Sequence, residues 1–267
     1  MILDDAGFGY DPTVSEPFAI TRPQFVTELP AAAVVNPAFL PPVGQQGTVA
    51  SAGYPGSCCA WASTYGLATF TAARAGRVSP ALPSGRASPA YIYIQVLKER
   101  GDAADGCGGS QFDNYFSKLK DGTASMASAP YVPDCPTLWQ AYANATIPGN
   151  KDFAISGVQG VATSDLDSIK QVLASGRALA YGTRLFSDWG TYQGDPSPYW
   201  GNGTVLTSNK TDKPAGHCML IIGYDDSLGA IRLQNSQGSD WGSGGYVWIA
   251  YATFQRLAQG TALYVPD

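Results

Sequence analysis

A thiol, a single imidazole and a carboxamide, far apart in the chain, are the residues whose types could do covalent chemistry. The thiol is Cys58, in Gly56-Ser57-Cys58-Cys59-Ala60-Trp61-Ala62. No side chain from Leu29 to Ala73 is charged, so this stretch is expected inside the molecule. It reads as a core helix entered through a Pro55-Gly56 turn, with Ser57 as N-cap. A thiol in the first turn of a helix meets unpaired backbone N–H groups and the positive end of the helix dipole. Both favour the thiolate, which is the nucleophilic form. Two adjacent cysteines alone would read as small core fillers. The remaining groups change that reading. The only histidine, His217, stands in Gly216-His217-Cys218-Met219-Leu220-Ile221-Ile222-Gly223-Tyr224. Asn235 opens Asn235-Ser236-Gln237-Gly238-Ser239-Asp240-Trp241-Gly242, and Gln46 ends Pro42-Val43-Gly44-Gln45-Gln46.

In this order the four motifs resemble the papain family of cysteine peptidases. The resemblance implies an α+β fold, a mainly helical half and a mainly antiparallel β half with the cleft between them. It implies Cys58 as nucleophile, His217 as the proton carrier that pairs with the thiolate, and Asn235 as the residue that orients the imidazole. Gln46 matches the side-chain donor of the oxyanion hole beside the N–H of Cys58, with Gln45 as a rival. Gly109 matches the glycine on which an extended substrate backbone lies. Cys218 matches a residue lining a substrate pocket, and Trp241 an aromatic over the primed side of the cleft, although core packing explains Trp241 almost as well. The implied activity is a thiol endopeptidase acting through a Cys58 acyl-enzyme. Alternatives are a transacylase or ligase with the same nucleophile, or a pseudopeptidase used as a binding module. A polypeptide substrate, and a pro-segment or proteinaceous inhibitor, are the expected partners, and a monomer the expected state. The sequence departs from the family in three places. The segment between Gln46 and Cys58 is longer and lacks the usual cysteine, Cys59 replaces a tryptophan, and Gln237 replaces the tryptophan that covers the Asn–His hydrogen bond.

Charged residues make up only 14% of the 267, with net charge −5, which argues against nucleic acid or an anionic membrane surface as partner. No apolar run is long enough to span a bilayer. Met1 to Asp5 lack the features of a signal peptide, whereas the family resemblance implies a secreted, periplasmic or lysosome-like setting. One histidine and scattered cysteines lack metal-ligand spacing, so neither a metal nor a cofactor is expected.

The elements that must position these groups follow from punctuation and pattern. Residues 1–36, broken by prolines, read as an N-terminal strap or a residual pro-segment. Residues 37–150 form the mainly helical subdomain and 151–267 the mainly β subdomain. Ser88-Pro89 opens a helix that Gly101 ends. A short amphipathic helix carries Phe112, Tyr115, Phe116 and Leu119, and another starts from Ser164 and stops at Gly176. Strands are expected over 177–186, 216–225, 230–234, 245–250 and 261–265. If a disulfide exists it joins Cys107 to Cys135, both in Gly/Pro-rich loops, leaving Cys59 and Cys218 as buried thiols.

Overall fold

The computed structural model describes residues 9–47, 53–102, 107–207 and 213–266. The uncharged stretch forms one continuous helical run. It starts as α1 (Cys58–Ala60), widens into a π-wound segment (Trp61–Ala68), and closes as α2 (Thr69–Arg74). Every residue of the π segment is buried. A helix surrounded by protein on all sides needs apolar residues all round, which is why the segment lacks charge. Wide π turns are rare in helices and occur disproportionately at functional sites. Ser57 occupies the N-cap position, but its side chain makes no capping bond. Its hydroxyl instead meets Tyr131 Oη at 2.9 Å.

Around this run pack α3 (Pro89–Glu99) and α4 (Phe112–Leu119), and α5 (Cys135–Tyr142) packs on α3. Ser88 caps α3 as expected, accepting from the N–H of Ala90. The cap of α6 (Leu166–Ala174) is Asp165, one residue beyond the serine expected, and it accepts from the N–H of Ser168. Cys107 and Cys135 form the expected disulfide, tying the loop before α4 to the start of α5. Closing that loop restricts the unfolded chain and stabilises by about 3 kcal/mol.

The second half is an antiparallel sheet in the order β2-β7-β3-β4-β5-β6, with β1 also pairing β4. Its strands are β1 (Ala32–Val34), β2 (Gln159–Ala162), β3 (Leu179–Arg184), β4 (Gly216–Asp225), β5 (Ala230–Gln234), β6 (Tyr246–Ala250) and β7 (Ala258–Tyr264). A helix not anticipated, α7 (Tyr251–Leu257), lies between β6 and β7. β4 is the strand that matters for chemistry. It pairs with β3 from Gly216 to Ile221 and with β1 from Gly223 to Asp225, and nine of its residues are buried. The central helical run packs against this strand, so the first turn of α1 faces the start of β4. Among the described residues no helix is long and apolar enough to cross a membrane.

Within residues 9–36 the chain takes two paths. Ile20 bridges Gly160, and β1 adds to the sheet edge, so this part lies along the β half. Residues 9–16 follow a different path, through the region between the halves.

Candidate active site

Cys58 enters from the first turn of α1 and His217 from the second residue of β4, and both are fully buried. Asn235 follows β5 directly. Its Oδ1 lies 2.7 Å from His217 Nε2 and also accepts from the N–H of Ser236 at 2.8 Å. Asn235 Nδ2 donates to Gln237 Oε1 at 3.4 Å, which fixes the amide with its oxygen toward the imidazole. Nε2–H is therefore the donor to Asn235, and Nδ1 is left for the thiol. Gln237, which stands where the family has tryptophan, thus holds Asn235 by a polar contact instead of an apolar cover.

Burial alone would push the Cys58 thiol up. Hydrogen bonds to Cys218 and Cys59, together with the hydrogen bond and charge of His217, outweigh it and hold Cys58 well below the ordinary thiol range. Burial holds Cys59 and Cys218 well above that range. The pocket therefore separates one thiolate from two neutral thiols.

Gln46 is buried and Gln45 is exposed. Gln46 Oε1 accepts from Ser236 Oγ at 3.0 Å, and Nε2 donates to the carbonyl of Pro55 at 3.1 Å. Part of the long segment between Gln46 and Cys58, residues 48–52, lies outside the described residues.

The residues expected to bind substrate meet different fates. Gly109 does lie against an extended backbone, but that backbone is the chain's own Gly9. A Cβ on Gly109 would fall 2.3 Å from the carbonyl carbon of Gly9, and one on Gly9 would fall 1.8 Å from the oxygen of Gly56. Only glycine at these positions permits such an approach. The pairing donor is the next residue, with Ser110 N–H donating to Gly9 O at 2.7 Å. Cys218 lines a small cavity together with Trp61, Ala62, Met219 and Asn235. It is buried with its Sγ 2.7 Å from that of Cys59. Trp241 is also buried, in an aromatic cluster with Trp189 and Tyr192, and its indole N–H donates to Trp189 O, as core packing would have it.

Residues 9–16, unmarked in the sequence, complete the site. Tyr10 bridges Gly216, next to His217, and is only 7% exposed. Its ring fills the space a side chain at Gly182 would need and packs 5.9 Å from Phe112. Gln111 Nε2 donates to Asp11 O, and both oxygens of Glu16 accept from N–H groups at the start of α4, at 2.8 and 3.3 Å. No pattern within 9–16 points to this placement. The complementary shapes are supplied by glycines at 56, 109, 182 and 216.

The cysteines lack ligand spacing in sequence, yet α1 and β4 bring the sulfurs of Cys58, Cys59 and Cys218 within 4.8 Å of one another.

Comparison with known proteins gives a consistent result. A family model described as papain family cysteine protease matches residues 94–263, a span that includes His217 and Asn235. No curated protein matches the sequence. Among solved structures the chain is similar to xylellain, a cysteine protease from Xylella fastidiosa, at 23% identity and TM-score 0.72, over 99% of this chain and 97% of that one. It is also similar to digestive procathepsin L 3 of Tenebrio molitor larval midgut, at 20% identity and TM-score 0.67, over 98% and 76%. A third likeness is to procathepsin B S9 from Trypanosoma congolense, at 18% identity and TM-score 0.69, over 98% and 87%.

Proposed function

The chain belongs to the papain family of cysteine proteases, and from that premise we propose that it cleaves polypeptides through an acyl-enzyme on Cys58. The observation that carries this is the 2.7 Å contact between His217 Nε2 and Asn235 Oδ1, which leaves Nδ1 for the Cys58 thiolate. The thiolate attacks the peptide carbonyl, and the developing oxyanion is met by the Gln46 amide and the first-turn N–H of Cys58. Collapse expels the amine, which takes its proton from His217. Water, deprotonated by His217, then frees the acyl group and restores the thiolate beside a protonated His217. A thiol-directed epoxide inhibitor should label Cys58 alone, as located by peptide mass spectrometry. Labelling at Cys59 or Cys218, or hydrolysis that survives Cys58→Ser, would move the nucleophile elsewhere.

The position of residues 9–16 supports reading them as an intramolecular occupant of the substrate cleft, with Gly9 and Tyr10 where substrate backbone and side chain would lie. Gly9→Val places a side chain against the Gly56 carbonyl and cannot dock. Full-chain turnover of a small peptide substrate should then rise about tenfold or more, since each 1.4 kcal/mol lost from docking opens the cleft about tenfold further. Unchanged turnover would mean that the segment does not block the cleft.

The contact of Glu16 with α4 makes this docking pH-sensitive. Burial raises the Glu16 carboxyl from 4.5 to about 7, against the Phe112 and Asp113 N–H groups, which lower it, while the Asp113 charge adds to the rise. A raised acid means that the docked state holds a proton which the released state gives up. Docking is thus strongest below about 4.5 and weakens as pH rises through about 7. The activity of the full chain relative to Gly9→Val should climb several-fold across that window, and Glu16→Gln should flatten the climb. A ratio independent of pH in the unsubstituted chain would show that Glu16 does not control release.

A further inference from the structure

We infer that Cys58, Cys59 and Cys218 form a binding site for one thiophilic divalent metal ion of the zinc class. Their three sulfurs lie within 4.8 Å of one another, and all three residues are buried. Two come from the first turn of α1 and one from β4, so helix-to-strand packing sets the spacing. Acyl transfer uses one of these sulfurs. The other two form no covalent bond to substrate: Cys59 donates to Ser110 O at 3.0 Å and meets Cys218 at 2.7 Å.

A tetrahedral ion with metal–sulfur bonds of about 2.3 Å needs sulfurs about 3.8 Å apart. That distance falls inside the 4.8 Å limit of the cluster, and the Cys59–Cys218 contact at 2.7 Å opens by about 1 Å through rotation of two short side chains. His217, hydrogen-bonded to Cys58, borders the three sulfurs. Three thiolates select zinc or cadmium over magnesium or calcium, which prefer oxygen. Each thiol that binds gives up its proton to solvent, and three metal–sulfur bonds form. An occupied site would remove the nucleophile from use, so the ion would act as a reversible inhibitor seated beneath Tyr10.

The test is cadmium titration of the full chain, with the Cys107–Cys135 disulfide intact, read by sulfur-to-cadmium charge-transfer absorption and by equilibrium dialysis. One ion per chain is expected, with a band of three-thiolate intensity, and affinity should fall by about 100-fold or more in Cys59→Ser and in Cys218→Ser. Circular dichroism checks folding; where serine disturbs the core, Cys59→Ala carries the same expectation. Three results would overturn the site: no tightly held ion, full affinity in both Cys59 variants (a Cys58–His217 pair alone holding the ion), or a Cys59–Cys218 disulfide in the isolated chain. Cadmium binding reports on the sulfurs whether or not the chain cuts peptides, so a negative result leaves the peptidase reading untouched.

Discussion

Cys58→Ser and His217→Ala should each lower kcat/KM for peptide hydrolysis by roughly 10⁴-fold or more, and the double variant should be little worse than either. Groups that act as one unit fail together, because a thiol without its proton carrier is a weak nucleophile and an imidazole without a thiol has nothing to activate. The structure gives a second readout that separates this coupling from damage to the fold. Burial opposes ionisation of Cys58, and His217 supplies both a hydrogen bond and charge against it. Removing the imidazole leaves more of the burial cost unopposed, so the pH at which Cys58 is alkylated should rise in His217→Ala. The Gly9→Val background is the appropriate one, since it clears the segment that covers the thiol. Superimposable alkylation profiles would show that the two residues are not coupled, whatever the turnover numbers. Asn235→Ala should fall between these variants and the unsubstituted chain, because it frees the imidazole to turn without removing it.

The readable parts of the molecule were those where local chemistry and global packing ask for the same residues. Ser88-Pro89 starts a helix by itself, and β4 and β5 have the bounds that their apolar runs suggest. The strands that escaped reading are short. Ala32–Val34 and Gln159–Ala162 carry no alternation to mark a buried face, and they become strands because β4 and β7 offer free edges. α5 was missed for a related reason. Its start is marked by Asp134 and Pro136, but Cys135 between them reads first as a loop cysteine. Cys58, His217, Asn235 and Gln46 were legible because each sits in a motif whose order the family resemblance supplies. Tyr10 and Glu16 were not, since what holds them is a set of spaces left by distant glycines and the free N–H groups of α4. Cys218 was legible as a position beside His217, where it lines a small cavity, but its sulfur contact with Cys59 was not, because it depends on how α1 packs against β4.

Gln46→Ala should lower kcat by about 100-fold with KM little changed, the usual cost of losing one oxyanion donor. The side chain and backbone of Gln46 are tightly held. Its backbone N–H donates to Ser236 O at 2.7 Å, its carbonyl accepts from Tyr131 Oη at 3.1 Å, and its side-chain oxygen accepts from Ser236 Oγ. One amide proton goes to Pro55 O, and an amide carries two. The second is the proton available to charge that appears only as the thiolate adds to the carbonyl, which is why the loss should fall on kcat. The longer segment before Cys58 need not disturb this, because loop-closure cost grows slowly with length and the loop's two ends are joined by the Gln46–Pro55 bond itself. Gln45→Ala should do far less, since Gln45 is exposed and its amide rests on Gly238. Ser236→Ala should cost less than Gln46→Ala, because it loosens the amide without deleting it. A larger loss in Gln45→Ala than in Gln46→Ala would shift the register by one residue. Equal activity in both would leave the oxyanion to backbone N–H groups, with the first turn of α1 as their source.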